Sequence, residues 1–373
     1  MSAPLGGSAR QSGLTWVALH YVLGLERLGF DVALIEPLAK ARQPDGPLAP
    51  SAEGRWFDNV MRRFGLRERS SLLDQQTGET VGLSYTELRE FARRTDLLLN
   101  LSGSLKDEDL LGAVRQRAYL DLDPAFTQLW QEVEGIDMGF AGHDLFFTVG
   151  QSIGTPSCDL PTCGIDWTPV LPPVVLDLWP SGGQLQHDAL TTVANWRGYG
   201  SIRLNGTLYG QKAHSLRPLL DLPERTGARF ALALGIHSGE EEDLRALELH
   251  GWEILDPLRM AGDPDAYWWF VRGSKAEFGI AKSGYVLSRC GWFSDRSACY
   301  LAAGRPVVAQ DTGFGAALPT GEGLFEFTTS DDVGSAVDAL RSDYDRHARA
   351  ARALAMEHLA SERVLGRILE KAT

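Results

Sequence analysis

The sequence of 373 residues has few cysteines and no long apolar run. Four cysteines in a chain of this length do not make a disulfide framework, so we expect reduced thiols and a cytoplasmic protein. No stretch of about 18 apolar residues is present, so no transmembrane helix is expected. No charged segment followed by an apolar one opens the chain, so no secretory signal is expected. Basic residues are outnumbered, 36 against 49 acidic ones, and the formal net charge of −13 argues against nucleic-acid and anionic-membrane partners.

What the chain does have is ample material for hydrophobic cores. Hydrophobic residues make up 44% of it, with ten Trp and fifteen Phe. At roughly 150 residues per domain, the length predicts two or three domains. We find no repeat of about 20–50 residues and no coiled-coil heptad.

The first half opens with a glycine turn, a helix and a strand. Residues 4–8 (PLGGS) are the turn, residues 14–28 have a helical pattern that Gly29 ends, and residues 31–36 (DVALIE) are a predicted strand. This is the turn–helix–strand part of a βαβ unit, and its first strand is expected to be missing because only three residues lie upstream of the turn. Further strands are predicted at 97–101, 118–122 and 145–149. Strands that alternate with helices predict a parallel sheet covered on both faces.

A proline-rich segment at 155–173 separates this half from a second alternation. It also contains Cys158 and Cys163, but no second pair of ligands is placed to complete a zinc site with them. The tail from residue 331 onward has two helical stretches, at 331–341 and 343–369. Strands of the second half are predicted at 174–178, 194–196, 230–234, 252–255, 278–281 and 307–309.

The most informative segment is 291–315, GWFSDRSACYLAAGRPVVAQDTGFG. Ser294 is placed to cap a helix over 295–303, which Gly304 ends. The apolar run 307–309 is too short for a helix and suits a buried parallel strand. A glycine-rich loop follows at the carboxyl end of that strand, where open α/β sheets bind ligands. The free amides and the dipole at the helix N-terminus predict a phosphate site.

The plan of two Rossmann-like halves, a proline-rich connection and C-terminal helices resembles the glycosyltransferases with the GT-B fold. The residues that carry the resemblance are PLGG and LERLGFDVALIEP at the front, and AAGRPVVAQDTGFG and GEGLFEF at the back. Further matches are to one bacterial group of such transferases: YLDLDP, TVGQSIGTP, CGIDW, GYGSI and LYGQKAHS. The resemblance implies two Rossmann-like α/β domains whose parallel sheets face each other across a cleft.

Three units follow from this resemblance. Residues 1–160 are expected to bind the acceptor, residues 161–342 to bind the nucleotide sugar, and residues 343–373 to return toward the first domain. In the large retaining class of this fold two glutamates flank the donor helix. Here those positions fall on Gly291 and Cys299, so the retaining mechanism is not supported and the stereochemistry stays open.

The donor side is assigned mainly to residues that open helices or follow strands of the second domain. Lys212 is expected to neutralise the leaving diphosphate, or else to be a surface lysine. His237 follows the strand 230–234 and is either a donor contact or a loop cap. The alternative for the helix start at Ser294 is ordinary capping with a solvated arginine. The full donor set is Lys212, His237, Ser283, Ser294, Asp295, Arg296, Ser297, Asp311, Thr312 and Gly313.

On the acceptor side, His20 or Asp123 is the candidate base if the reaction inverts. Helical spacing makes His20 as suitable for the core as for the cleft. Asp121 and Asp123 look like a metal-binding DxD motif, but that motif belongs to a different glycosyltransferase architecture, so no metal is expected. Aromatic rings such as Trp292 and Phe293 suit stacking on a sugar or base. The predicted acceptor-side residues are Gly6, Gly7, Trp16, Ser102, Gln151, Ser152 and Thr155.

The expected activity is therefore metal-independent glycosyl transfer from a nucleotide-activated sugar to a small-molecule acceptor. The nucleoside-diphosphate sugar is a co-substrate, and no tightly bound cofactor is expected. Two alternatives remain open. One is a nucleotide-sugar epimerase of the same fold, and the other is a non-catalytic protein that binds nucleotide sugars. The sequence names neither the nucleotide nor the acceptor, and it leaves the oligomeric state unknown.

Overall fold

The structure, a computed structural model, describes residues 1–6, 12–38 and 46–372. Within them the strands are β1 (Leu34–Pro37), β2 (Ser70–Leu73), β3 (Thr80–Gly82), β4 (Leu97–Leu101), β5 (Gln116–Asp121), β6 (Leu145–Thr148), β7 (Thr168–Pro169), β8 (His187–Asn195), β9 (Ile202–Leu204), β10 (Thr207–Tyr209), β11 (Phe230–Gly235), β12 (Glu253–Leu255), β13 (Ser274–Gly279), β14 (Val307–Gln310) and β15 (Leu324–Phe327).

The helices within the same residues are α1 (Ser12–Arg27), α2 (Ala52–Arg63), α3 (Tyr85–Arg93), α4 (Glu108–Ala113), α5 (Phe126–Glu132), α6 (Lys212–Leu216), α7 (Leu222–Thr226), α8 (Glu241–Leu249), α9 (Pro257–Ala261), α10 (Pro264–Gly273), α11 (Ser283–Ser288), α12 (Asp295–Ala302), α13 (Ser330–Ser342), α14 (Tyr344–Leu354) and α15 (Ser361–Ala372).

The first sheet is completed by the beginning of the chain. Strands β1 and β2 are parallel, as are β4 to β7, and Ser2 forms parallel bridges to both Ile35 and Asn100. The Ser2 amide donates to Leu99 O at 2.8 Å, and the Leu101 amide donates to Ser2 O at 2.9 Å. Residues 1–3 thus occupy the place between β1 and β4, and the expectation of a missing first strand was wrong. Three residues were too few to show a strand pattern, although their backbone pairs on both sides.

The second sheet has six parallel strands in the order β12-β11-β8-β13-β14-β15. Counted in chain order this is 3-2-1-4-5-6, the doubly wound Rossmann arrangement. The order reverses between β8 and β13, so the carboxyl ends of these two strands flank a crevice in which ligands of such sheets bind. The predicted strand at 174–178 is wrong, since the chain there makes a single 3-10 turn at Leu176–Leu178. The strand predicted at 194–196 is the end of the longer β8.

Local sequence explains why α12 and β14 form where they do. Ser294 caps α12, its hydroxyl accepting from the Arg296 amide at 3.2 Å. Gly304 follows with φ +68°, a left-handed conformation that glycine adopts without steric cost. The apolar run that begins at Val307 is then buried as β14. The helix and strand predicted from this segment are both confirmed.

One hydrophobic core runs through both halves of the molecule. Trp16 of α1 packs on Trp179, with ring centroids 4.8 Å apart, and Trp179 packs in turn on Tyr267 of α10. The same cluster includes residues of α12 and α15. A separate apolar cluster that contains Phe230 and Phe278 fills the space beside the second sheet.

The C-terminal helices pack back onto the first half. The Val174 amide donates to Leu359 O at 2.7 Å, and the Ser361 amide donates to Val174 O at 2.9 Å, which anchors the chain before α15. Helix α15 then packs on α1 at Gly24, where an added Cβ would lie 2.8 Å from Ser361 Cβ. A larger residue at position 24 would push the two helices apart.

Candidate functional site

A cleft of about 640 Å³ lies at the switch point of the second sheet. The first half contributes the start of α1 and the loop after β5 to its lining. The second half contributes the ends of β8 and β11, the helices α6 and α9, and the first turn of α12. Its charged lining residues are Asp123, Lys212, Lys282, Asp295 and Arg296.

Lys212 is the least compensated charge in this cleft. It begins α6, is half-buried, and forms no ion pair or side-chain hydrogen bond with the described residues. Burial lowers the pKa of Lys212 to about 7, and the positive charges of Lys282 and Arg296 act in the same direction. The ammonium group therefore has no carboxylate in direct contact among these residues. An anion placed among these three cations would supply a partner of opposite charge.

Arg296 is fixed by a buried ion pair that the sequence did not predict. Its Nε donates to Glu277 Oε1 at 2.5 Å, and Nη1 donates to Val193 O at 3.0 Å. Glu277 is fully buried on β13. The remaining nitrogen, Nη2, is buried without a partner among the described residues. Glu277 Oε2 is also buried without a partner among these residues, and the ion pair fixes the orientation of the guanidinium.

Lys282 and Asp123 form an ion pair that joins the two halves. Lys282 Nζ lies 2.9 Å from both carboxylate oxygens of Asp123. Tyr199 Oη donates to Asp123 at 2.6 Å, and Tyr285 Oη donates to the same carboxylate. The ammonium also lies over the rings of Phe126, Tyr199 and Tyr285, at 5.0, 4.4 and 4.9 Å from their centroids. Burial lowers the pKa of Lys282, which the charge of Asp123 opposes.

These contacts change the interpretation of Asp123 as a base. Its two oxygens accept four hydrogen bonds, so no position is left for an acceptor hydroxyl while the ion pair is intact. Asp121 is buried as well and accepts from the Asp123 amide, Thr127, Gln128 and Thr148. Burial raises the pKa of Asp121. Its contacts fix the turn into α5.

His20 lies in the core and not in the cleft, which corrects its assignment as a candidate base. Only 2% of its surface is exposed. The Val175 amide donates to His20 Nδ1 at 3.1 Å, and Trp179 Nε1 lies 3.1 Å from His20 Nε2. Burial lowers the pKa of His20 to about 3. A neutral imidazole enclosed in this way has no access to a substrate.

The loop after β14 braces the site from outside and does not line the cleft, contrary to the prediction. Thr312 is fully buried, and its hydroxyl donates to Trp292 O at 2.6 Å. Asp311 accepts from Arg289 at 2.9 Å and from the Gly313 amide at 2.7 Å. These polar groups are occupied in holding the two loops together.

Of the other residues predicted to bind the donor, some line the cleft and others have structural roles. Ser294 and Asp295 line the cleft together with Arg296, whereas Ser297 is buried one turn below. Ser283 Oγ accepts from the Gly210 amide at 3.1 Å and thereby fixes the loop before α6. His237 is exposed beyond the end of β11 and is not part of the cleft lining.

Most predicted acceptor-side residues have structural roles. Trp16 is 4% exposed and donates to Pro264 O at 3.0 Å. The backbone amides of Ser152 and Gln151 form hydrogen bonds to the loop before α12. Ser152 donates to Cys290 O at 3.0 Å, and Gln151 donates to Gly291 O at 3.4 Å. The others lie outside the cleft lining: Ser102 in the turn after β4, Thr155 on the surface, and Gly6 just before the undescribed residues, which include Gly7.

The comparisons with known proteins identify the fold. An alpha-glucosyltransferase solved with UDP and a 13-mer DNA containing a HMU base is 12% identical over 100% of this chain and 97% of its own, with a TM-score of 0.61. HepE of Anabaena, solved with UDP, is 13% identical over 98% of this chain and 96% of its own, with a TM-score of 0.54.

The chain has the GT-B fold. At this identity the likeness shows the fold alone. A scan against protein-family models finds no match, and a search of curated proteins finds none either. The GT-B fold places the cleft described above between its two Rossmann-like halves.

In the part of the chain that the structure describes, no helix is long and apolar enough to cross a membrane. The same residues contain no group of three or more His, Cys, Asp or Glu side chains arranged to hold a metal ion. The four cysteines are all free thiols.

Sequence reasoning missed Lys282, Tyr199 and Tyr285. Lys282 follows the strand that was predicted at 278–281, so the rule that ligands bind at the carboxyl ends of parallel strands would have pointed to it. No sequence signal indicates the two tyrosines, because their roles depend on a contact with Asp123 from the other half of the chain.

Proposed function

We propose that this protein transfers a glycosyl group from a nucleoside-diphosphate sugar, bound at the switch point of the second sheet, to an acceptor in the same cleft. The observation that carries the proposal is the unpaired ammonium of Lys212 beside Lys282 and the free Nη2 of Arg296. The GT-B neighbours solved with UDP support the choice of ligand class.

Electrostatics favours a diphosphate over a single charge. Lys212 and Lys282 both have a lowered pKa because burial disfavours their charged forms, and Lys212 is further affected by the neighbouring cations. A dianionic or trianionic group would remove this repulsion and accept hydrogen bonds from Lys212 Nζ and Arg296 Nη2. Hydrogen bonds to charged groups contribute about 1.5–3 kcal/mol each. A carboxylate or a single phosphate would satisfy fewer of these donors.

The rest of the cleft suits the nucleoside and sugar. Helix α9 packs beside β8 and β11 and contributes Pro257 and Leu258 to the lining, next to Gly235. Trp292 lines the cleft on the side of α12, with its ring 4.6 Å from that of Tyr285. Apolar and aromatic surfaces of this kind accommodate a base or the C–H face of a sugar.

In the proposed reaction the same cations act on the leaving group. Negative charge develops on the diphosphate as the bond to the anomeric carbon breaks, and donors already in position stabilise that charge without reorganising. Because Lys212, Lys282 and Arg296 supply positive charge directly, we propose a metal-independent transfer. The net charge of −13 favours a small-molecule acceptor over nucleic acid.

Calorimetric titration with UDP and with uridine tests the binding half of the proposal. UDP is expected to bind at least tenfold more tightly than uridine. Lys212→Met is expected to lower the affinity for UDP by about 10- to 100-fold, the range for one lost hydrogen bond to a charged group. Lys371→Met, which removes an exposed lysine from α15, is the matched control and should leave the affinity unchanged. Equal affinities of the wild type and Lys212→Met would refute this placement of the diphosphate.

Turnover distinguishes a transferase from a binding protein. Release of UDP from UDP-glucose, UDP-galactose or UDP-N-acetylglucosamine, with water or a sugar as acceptor, is the expected result. Tight binding of all three without any release would instead support a non-catalytic role.

A further inference from the structure

A second, smaller cavity of about 70 Å³ opens from the cleft between the two halves. It shares Leu14, Leu122, Trp292 and Asp295 with the main cleft, so the two spaces are adjacent. Most of its wall is apolar, with Val17 of α1 and the proline pair before the 3-10 turn among its lining residues. An apolar space of this kind has no role in holding a diphosphate.

Two polar side chains are among the lining residues of this pocket. Tyr21 is 1% exposed, and its hydroxyl forms no hydrogen bond with the described residues. Asp295 is in the first turn of α12, and its carboxylate accepts a hydrogen bond from its own backbone amide but none from a described side chain. Burial raises the pKa of Tyr21, and the negative charge of Asp295 acts in the same direction. The phenol and the carboxylate are therefore near neighbours across the pocket.

We propose that this pocket is the acceptor subsite and that Asp295 is the catalytic base that removes the proton of the acceptor hydroxyl. The proposal rests on the proposed glycosyl transfer and deepens it. Asp295 adjoins Arg296 in sequence, so the base lies one residue from a side chain that is proposed to bind the leaving diphosphate. Asp295 lines both the main cleft and the smaller pocket. A hydroxyl bound between the two side chains would donate to Asp295 and accept from Tyr21, whose phenol has no partner among the described residues.

The reaction balances as a single displacement. The acceptor O–H proton moves to the Asp295 carboxylate, and the oxygen lone pair forms a bond to the anomeric carbon. The bond from that carbon to the β-phosphate oxygen breaks, and its electron pair leaves with UDP beside Lys212 and Arg296. One displacement inverts the anomeric configuration.

The surroundings of Asp295 make its carboxylate more basic than an exposed one. Burial raises the pKa of Asp295, while the charges of Arg296 and Lys212 oppose the rise. A carboxyl group with a raised pKa is a better match for proton abstraction from an alcohol. The charged and titratable groups that interact with it are Arg296, Glu277 of β13, Lys212 of α6, Tyr21 of α1, Tyr267 of α10 and Cys299 of α12.

The size of the pocket limits the acceptor. At about 70 Å³ it is smaller than the cavity of about 150 Å³ that takes benzene. We infer an acceptor whose reactive hydroxyl is next to a short aliphatic group, and not next to an aromatic ring. A large substituent would have to extend into the main cleft.

The test compares the wild type with Asp295→Asn and Tyr21→Phe. UDP affinity is measured by calorimetry, and UDP release is measured from UDP-glucose, UDP-galactose and UDP-N-acetylglucosamine with water as the acceptor. Asp295→Asn should bind UDP as tightly as the wild type, because a negative charge near the phosphates is removed. Its turnover should fall by about 10²- to 10⁴-fold and lose the acid limb of the pH profile. Tyr21→Phe should keep UDP affinity and lose about tenfold in turnover.

Four results would overturn the assignment. Turnover of Asp295→Asn within threefold of the wild type would exclude a base at this position. A loss of UDP affinity in that variant would make Asp295 a donor ligand. Wild-type protein that binds UDP yet releases none from the three sugars, or that yields the retained anomer, also contradicts it. Wild-type protein that does not bind UDP at all overturns the proposed function itself.

Discussion

Raising the pH from 7 to 9 should weaken the binding of UDP, and Lys212 is the reason. In the free protein burial and two neighbouring cations lower the pKa of this lysine to about 7. A bound diphosphate favours the charged form and should return the pKa toward its usual value near 10.4. The affinity for UDP is then highest at pH values below the pKa of Lys212 in the free protein, and it declines as the pH rises through that pKa.

The expected size follows from the fraction of Lys212 that is protonated. About half of it carries the proton at pH 7 and roughly 1% at pH 9, so the affinity for UDP should fall about fifty-fold over this range. The phosphates of UDP are ionised throughout, since their last pKa is close to 6. Binding at pH 8 should also take up about 0.9 proton per UDP.

Calorimetry in buffers of different ionisation enthalpy measures both quantities. Lys212→Met should bind UDP more weakly at pH 7, and its affinity ratio between pH 7 and pH 9 should shrink to below about tenfold, with Lys282 the remaining contributor. Lys371→Met should behave like the wild type. An affinity for UDP that is constant from pH 7 to pH 9, with no proton uptake, would refute the reasoning.

Three further predictions concern the frame of the site. Arg296→Ala should lower the free energy of unfolding by about 3–5 kcal/mol in a urea titration, because Glu277 stays buried without its partner; a loss below about 1 kcal/mol would contradict the ion pair. His20→Ala should lower the free energy of unfolding by about 1–3 kcal/mol and change UDP affinity less than twofold. A large change in UDP affinity would show that His20 belongs to the binding site after all. Gly291→Ala should lower the melting temperature, since φ is +77° and the added Cβ would lie 2.9 Å from the backbone of Gln151; an unchanged melting temperature would contradict this packing.

The fold follows from sequence because its determinants are local. The cap at Ser294, the left-handed Gly304 and the apolar run from Val307 each act within a few residues, and the structure has all three as predicted. Alternating strands and helices then leave few arrangements other than parallel sheets. The short first strand escaped detection because three residues carry no periodicity.

The site was only partly predictable because its partners come from distant parts of the chain. Lys212 and Arg296 lie in the cleft, but the ion pair that orients Arg296 requires Glu277 from another strand. Asp123 is occupied by Lys282, a residue 159 positions away. A helical pattern alone does not distinguish a core histidine such as His20 from a ligand.

Packing between loops explains the error at residues 311–313. Loops at the carboxyl ends of parallel strands were all expected to face the cleft. The ends of β8 and β11 and Lys282 after β13 line it, whereas the loop after β14 does not. That loop packs on the loop before α12, with Thr312 bound to Trp292. Sequence does not show which loops pack on each other, so this distinction required the structure.

A crystal structure of the protein with UDP tests the central claim most directly. We expect the diphosphate at the switch point of the second sheet, with phosphate oxygens within about 3.2 Å of Lys212 Nζ and Arg296 Nη2. The Glu277–Arg296 pair should remain intact. UDP bound elsewhere on the molecule, or a diphosphate in the cleft that contacts neither Lys212 nor Arg296, would contradict the account.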